Sequence, residues 1–478
     1  MRRLPAFALL LAAVPAWAQS VPPSAGAPAA GVSQAAQQAD IAYRQGEYAD
    51  AIKAADAAIR SDAQDHTAYY IRGSAKVEGG LASGDADMVR SGVADAREAI
   101  RIEGNGKADY YLPYLYGMTN LATLEGKPQH AETVVKVVDG VLGRAALGPD
   151  EEANLRYQKA LAHMRLEKPD RAAAELQKAI KISPRHMAAQ MMLADAYVIA
   201  GKPEQAETVF GDIIAAFPGN PLAYNNRGMF RQSQGDVDGA VADFDAAVKA
   251  EPTFYQAMTN KGFALMRAGR GSEAVAAFDA SLKANPEQPH AVSFRGTTRL
   301  NSGDLRGAAG DYREVLKMDP RNPAAHADLG FVYFFAGQYG SADKSFANAQ
   351  KVDPQMRFLN PWRYHAMASE GQKAQADRQF GDVAQKSATQ LTWPDRLTLY
   401  LMGRMDESQL LSAVDRTDAK IAEAQTTEAN YFIGLNSLKA GNKTAAAASM
   451  KKAAATEATN LSAHRGAKLT LRRMGTVR

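Results

Sequence analysis

Residues 221–254 read PLAYNNRGMFRQSQGDVDGAVADFDAAVKAEPTF, and residues 255–288 continue as YQAMTNKGFALMRAGRGSEAVAAFDASLKANPEQ. Each stretch is 34 residues long, and the two align without a gap. They share glycine at the eighth and fifteenth positions, alanine at the twentieth, phenylalanine at the twenty-fourth and proline near the end. The period runs outward in both directions, so that six such segments fill residues 187–390, starting at Met187, Pro221, Tyr255, Pro289, Pro323 and Arg357. The fifteenth residue is always glycine (Gly201, Gly235, Gly269, Gly303, Gly337, Gly371). The twenty-fourth is always a ring (Phe210, Phe244, Phe278, Tyr312, Phe346, Phe380).

Each column suits a pair of helices. Glycine ends the first helix by taking a left-handed conformation without a Cβ penalty. Small residues at the eighth and twentieth positions let the two helices approach, and the ring fills the space between one pair and the next. Proline stops the second helix. Within one second helix, Val241, Phe244, Ala247 and Val248 form an apolar stripe of helical period. A lone pair cannot bury such a stripe, so neighbours must stack. The pattern resembles the tetratricopeptide repeat (TPR). That resemblance implies an all-α fold: a TPR α-solenoid, a right-handed superhelix of antiparallel helix pairs with a C-terminal capping helix.

The rest of the chain divides around this block. Arg2 and Arg3, the apolar stretch Leu4–Val14 and Ala16-Trp17-Ala18 read as a signal peptide over residues 1–18, with cleavage before Gln19. Residues 19–34 are a flexible leader rich in proline and alanine. Degenerate repeats fill residues 35–186; the segment 79–92 exceeds the repeat length and is expected as a surface loop or an extended helix end. In the sixth regular segment Pro361 sets a late helix start, at Asn360 or Pro361. Residues 391–478 hold atypical helices starting near Pro394 and after Asp406, a final repeat from about Thr427, and an amphipathic capping helix with Leu461, Leu469 and Leu471 on one face. In this last region Trp393, Leu399–Gly403, Glu428–Gly434 and Ala463-His464-Arg465 resemble the end of the NlpI-type envelope TPR lipoproteins. That resemblance implies an adaptor that brings cell-wall enzymes together, and a homodimer in some members.

Composition narrows the function. With 46 % apolar and 23 % charged residues the chain is that of a folded protein, and a net charge of +4 is too weak a bias for a nucleic-acid partner. Export together with the absence of cysteine and of any later apolar stretch long enough to span a bilayer points to the periplasm, or to secretion. None of the 8 histidines pairs at metal-binding spacing, and no phosphate-binding glycine loop or nucleophile elbow occurs. No enzyme, metal or cofactor is expected. Carboxylates such as Asp243 and Asp245 are read as solvated helix surface, and the Arg/Lys-Gly pairs at Arg72, Arg227, Lys261 and Arg295 as side chains lying along the repeat edge.

What remains is the concave groove that the TPR resemblance implies, lined by the first helix of each repeat. That register assigns it Met192, Asn225, Asn226, Met229, Asn260, Phe263, Met266, Phe294, Asp328, Phe331, Phe334, Phe335 and Trp362. Rings and methionines dominate, with amides between them, and Asn226 and Asn260 are placed to hold the backbone of an extended peptide. The expected function is a periplasmic adaptor binding protein segments in this groove. The alternatives are a glycan-binding or polysaccharide-export scaffold, because rings beside amides also suit sugars, and self-assembly into a homodimer.

Overall fold

The computed structural model describes residues 33–104, 107–143, 147–459 and 461–476. The expected signal peptide 1–18 and all of the leader except Ser33 and Gln34 lie outside the described residues. Among the described residues there are 25 α-helices and no strand, so the fold is all-α. The helices cluster into two compact units, one ending at Arg227 and the other beginning at Gly228, within α11 (Pro221–Ser233).

The first unit is built of pairs, each a first (A) helix and a second (B) helix. They are α1 (Gln34–Arg44) with α2 (Tyr48–Ser61), α3 (His66–Ser83) with α4 (Ala86–Glu103), α5 (Tyr111–Leu124) with α6 (Gln129–Leu142), α7 (Pro149–Arg165) with α8 (Pro169–Ile182), and α9 (Met187–Ile199) with α10 (Pro203–Ala216). The extra residues 79–92 lengthen α3 and α4 to 18 residues each, and Gly84 (φ 72°) turns the chain between them. Two glycines let this long pair close: a Cβ on Gly92 would lie 2.7 Å from the Gly73 carbonyl oxygen. Between α7 and α8, Glu167 holds φ 55° at the position where the regular repeats place their left-handed glycine.

In the second unit, α12 (Val237–Ala250) is followed by the pairs α13 (Tyr255–Arg267) with α14 (Gly271–Ala284), α15 (Pro289–Ser302) with α16 (Leu305–Met318), and α17 (Pro323–Phe335) with α18 (Tyr339–Val352). The fifteenth-position glycines of all six regular segments have φ between 71° and 91°, the left-handed cap that their column predicts. The eighth-position column is explained by the ring of the same repeat. A Cβ on Gly262 would lie 2.6 Å from the Phe278 ring, and one on Gly330 would lie 2.5 Å from the Phe346 ring.

Ion pairs join one repeat to the next. Lys261 reaches Asp245 at 2.6 Å and Arg295 reaches Asp279 at 2.6 Å, each base meeting the acid sixteen residues earlier on the preceding B helix. In the first unit Arg72 makes the same reach to Asp56 at 2.6 Å. These side chains do more than lie along the edge. Asp243, expected on a solvated surface, is instead 3 % exposed and receives the Arg231 guanidinium at 3.0 Å. Asp311, also buried, is held in the same way by Arg295 and Arg299. The reason is positional: the residue just before the ring faces the A helix of its own repeat.

Beyond the regular pairs the expected sixth repeat is cut short. After a 3-10 turn at Arg357–Leu359, α19 (Asn360–Ser369) starts at the expected place, but α20 (Lys373–Gln379) runs for only 7 residues. The chain then passes into a second 3-10 turn at Gly381–Gln385, where the Asp382 carboxylate accepts from the Val383 N–H and competes with helical bonding. Two capping boxes, Thr392/Asp395 and Asp406/Gln409, start α21 (Trp393–Met402) and α22 (Glu407–Ser412). The last pair is α23 (Ala419–Lys439) with α24 (Lys443–Ala454); α23 begins before Thr427 because Asp418 caps it. The final helix, α25 (Ser462–Arg473), does not simply cover the end of the array. It lies against α15 and α17: Arg465 Nε donates to Asn301 Oδ1 at 2.6 Å, and a Cβ on Gly466 would lie 2.6 Å from the Phe335 ring.

Three substitutions test this packing by equilibrium denaturation. Gly330→Ala is expected to destabilise by about 1–3 kcal/mol through overpacking against Phe346. Gly310→Ala, where a Cβ would meet nothing within 4 Å, is expected to stabilise by about 1 kcal/mol through helix propensity alone. Glu167→Gly should stabilise by up to about 1 kcal/mol by relieving the left-handed backbone.

Candidate functional site

The thirteen residues assigned to the groove divide sharply by exposure. Asn226, Met229, Asn260, Phe263, Met266, Phe294 and Asp328 are half-buried. Phe263 and Phe294, from neighbouring A helices α13 and α15, meet with ring centroids 5.1 Å apart. In the first unit Asn225 is buried and donates its side-chain amide to Asn226 Oδ1 at 3.2 Å, and Met192 is buried in α9.

The aromatic end of the expected groove is corrected by the structure. Phe331, Phe334, Phe335 and Trp362 are 1–4 % exposed, because the chain's own C-terminal helices cover them. Trp362 packs against Tyr431 and Phe432 of α23 at 5.2 and 5.1 Å, and Phe331 meets Trp362 edge-on at 4.9 Å. Sequence register fixes which side of a helix these rings occupy. It does not say that α23 and α25, about a hundred residues later, return to that side.

Closure leaves two titratable groups in poor solvent. Burial pushes the Asp328 carboxyl up to about 6, against the pull of the Arg465 guanidinium on α25. Burial pushes His365, which lies beside Phe334 and Tyr339, down to about 4, so it is neutral at physiological pH.

The first unit offers a face that the register did not reveal. Successive A helices each contribute a half-buried tyrosine: Tyr43 from α1, Tyr70 from α3, Tyr116 from α5 and Tyr157 from α7. Burial raises all four hydroxyl pKa values, and the electrostatic influences run from Tyr70 to Tyr43 and from Tyr116 to Tyr157. Tyr70 also stacks on Tyr110, with centroids 4.7 Å apart. Charged groups punctuate the row. Glu78 accepts from the Tyr43 and Tyr48 hydroxyls at 2.6 and 3.0 Å, and burial raises its carboxyl. Arg165 feels Tyr116, and burial lowers its guanidinium. At the far end burial pushes the Asp195 carboxyl up to about 7, and Asp195 is close enough to act on Tyr157. The sequence signal was present in YLPYLYG of α5, but the connection between α6 and α7 breaks the 34-residue register counted back from Met187.

Half-buried tyrosines in a row supply large, stiff contact area with a polar tip, a chemistry suited to peptide segments. Among the described residues no group of three histidine, cysteine, aspartate or glutamate side chains is placed to hold a metal ion, and no helix is long and apolar enough to cross a membrane.

A family model described as tetratricopeptide repeat matches residues 37–97, 157–221 and 225–289, and a second with the same description matches residues 299–358. None of the curated proteins matches the chain. Among solved structures the chain is similar to pilF of Pseudomonas aeruginosa, at 19 % identity over 44 % of this chain and 95 % of that one, with a TM-score of 0.37. It is similar to PilW, a widely conserved type IV pilus biogenesis factor, at 24 % identity over 43 % of this chain and 96 % of that one, with a TM-score of 0.34. A tetratricopeptide repeat protein from Parabacteroides merdae is similar at 18 % identity over 60 % of this chain and 98 % of that one, with a TM-score of 0.39. The family matches end at residue 358, so they lend no support to the NlpI-type resemblance of residues 391–478. Such repeats indicate a protein-binding scaffold. The matched segments together span more than half of the chain and carry the glycine and ring columns on which the packing rests: the protein belongs to the tetratricopeptide repeat family.

Proposed function

We propose that this protein is an exported, periplasmic adaptor without chemistry of its own, which binds an extended segment of a protein partner and so links enzymes of the cell envelope. The observation that carries the reading is the tyrosine row of the first unit, one ring from each of four successive A helices. A peptide laid across that row meets a ring at each repeat and charged groups at Glu78, Arg165 and Asp195. In the second unit the half-buried Phe263, Met266 and Phe294 offer a smaller surface of the same kind. The signal-like segment 1–18 supports export, and the NlpI-type resemblance of the C-terminal region supports the adaptor role.

Affinity capture from envelope extract tests the reading. The mature protein from Gln19 is expected to retain specific proteins that the Tyr116→Ala/Tyr157→Ala variant loses by at least about tenfold, with helix content unchanged by circular dichroism. Retention of the same set by both proteins would overturn it, as would retention on purified peptidoglycan with no protein captured.

A pH test addresses the same face. The folded protein holds the Asp195 proton more tightly than the unfolded chain does, so ionisation opposes folding as pH rises from about 4 through 7. Asp195→Asn should therefore raise the thermal midpoint at pH 8 and leave it unchanged at pH 4.

A further inference from the structure

In the second unit a cleft of about 900 Å³ opens between the C-terminal end of α17 and the helices α23, α24 and α25. It lies outside the tyrosine face and is not needed for the function proposed above. Its floor is apolar, formed by Phe334, Phe335, Leu435, Leu438 and Leu469. One wall is a single face of α24, on which Lys443 and Lys451 stand eight residues apart with Ala447 and Ala448 between them. Eight residues of helix place the two lysines about 12 Å apart along the axis. Arg473 of α25 lines the cleft as well.

The charge is one-sided. No carboxylate lines the cleft, and none of Lys443, Lys451 and Arg473 forms an ion pair among the described residues. That departs from the repeats, where Lys261, Arg295 and Arg363 each meet an aspartate within 2.7 Å. Two phenols stand beside the guanidinium. Tyr431, 1 % exposed, and Tyr339 both line the cleft with Arg473. Arg473 is near enough to draw the Tyr431 and Tyr339 hydroxyls down from the values that burial gives them. A phenol and a guanidinium together at the edge of an apolar floor form a carboxylate-accepting pair.

We infer that this cleft docks an acidic amphipathic helix of a partner protein, whose leucine-type face meets the apolar floor and whose carboxylates meet Lys443, Lys451 and Arg473. The alanines of α24 let another helix axis approach to about 8–10 Å. Acidic residues seven or eight apart on that helix match the spacing of the two lysines. Tyr431 donates its hydroxyl to a carboxylate or carbonyl at the cleft edge.

A displayed library of random helix-forming 16-residue peptides, panned against the mature full-length protein, tests the inference. The library is expected to enrich peptides with acidic residues seven or eight apart beside leucines. A selected peptide should lose at least about tenfold in affinity on Lys443→Glu/Lys451→Glu, and should weaken as salt rises. Both lysines are exposed, so the charge reversal leaves the fold intact. Tyr431→Phe should weaken binding while leaving the thermal midpoint unchanged, and Tyr116→Ala/Tyr157→Ala should leave binding unchanged, which separates this site from the tyrosine face. Enrichment of peptides without acidic residues, or equal binding to the charge-reversed protein, would sink the inference. Binding of dodecanoate with no peptide enriched would reassign the cleft to a small anionic amphiphile.

Discussion

An aromatic ring seated on a glycine governs the packing of this protein. Gly228, Gly262 and Gly330 each lie under the ring that follows sixteen residues later, at distances where a Cβ could not stand. The contact fixes how closely the two helices of a repeat approach, and hence which residues of the A helix are left facing away from the B helix. The tyrosine row of the first unit stands on that remaining face. The contact also explains why the twenty-fourth column admits only rings: a smaller side chain would leave a void between helices that cannot move together without shifting the neighbouring repeat. Ion pairs such as Lys261–Asp245 and Arg295–Asp279 then tie one repeat to the next, but these are partly exposed and contribute little individually. The ring sets the geometry and the ion pairs refine it.

Because the A-helix face is produced by repetition, its chemistry is free to vary from repeat to repeat. The first unit writes tyrosines on it, the middle of the second unit writes Phe263, Met266 and Phe294, and the repeat from Pro323 writes three phenylalanines. These solutions have different consequences. Tyrosine is stable half-exposed, since its hydroxyl can face water while its ring is covered. Three phenylalanines and Trp362 side by side would form an adhesive apolar patch, and the structure covers them with α23 and α25.

Much of this was legible in the sequence and some was not, for reasons specific to each residue. The columns gave the helix pairs, the left-handed glycine caps and the late start of α19, because these depend on residues within one repeat. The burial of Phe331, Phe335 and Trp362 depends on α23 and α25, which lie far later in the chain, and no local period encodes it. Asp243 was misplaced for a related reason. A carboxylate in a helix reads as solvated unless its partner is known, and Arg231 lies on the other helix of the pair. The tyrosine row was hidden by register: α3 and α4 are longer than the repeat allows, so counting from the regular block does not reach Tyr70 or Tyr43.

Covering the aromatic end carries a cost that can be located. Asp328 lies on the face that α25 closes, and burial lifts its carboxyl to about 6. A group whose proton is held more tightly in the closed, folded state favours that state below its shifted pKa and opposes it above, so at neutral pH its ionised form works against closure. Arg465 acts in the opposite sense: it lies near enough to Asp328 to pull the carboxyl back down, and it is tethered to Asn301 by its own hydrogen bond. Rings supply the favourable area and Arg465 offsets part of the penalty that burying a carboxylate imposes. The resting position of α25 is thus set by two opposed effects on one face. Apolar burial draws the helix in, and the ionised carboxylate beneath it is tolerated because a cation sits on the helix that covers it.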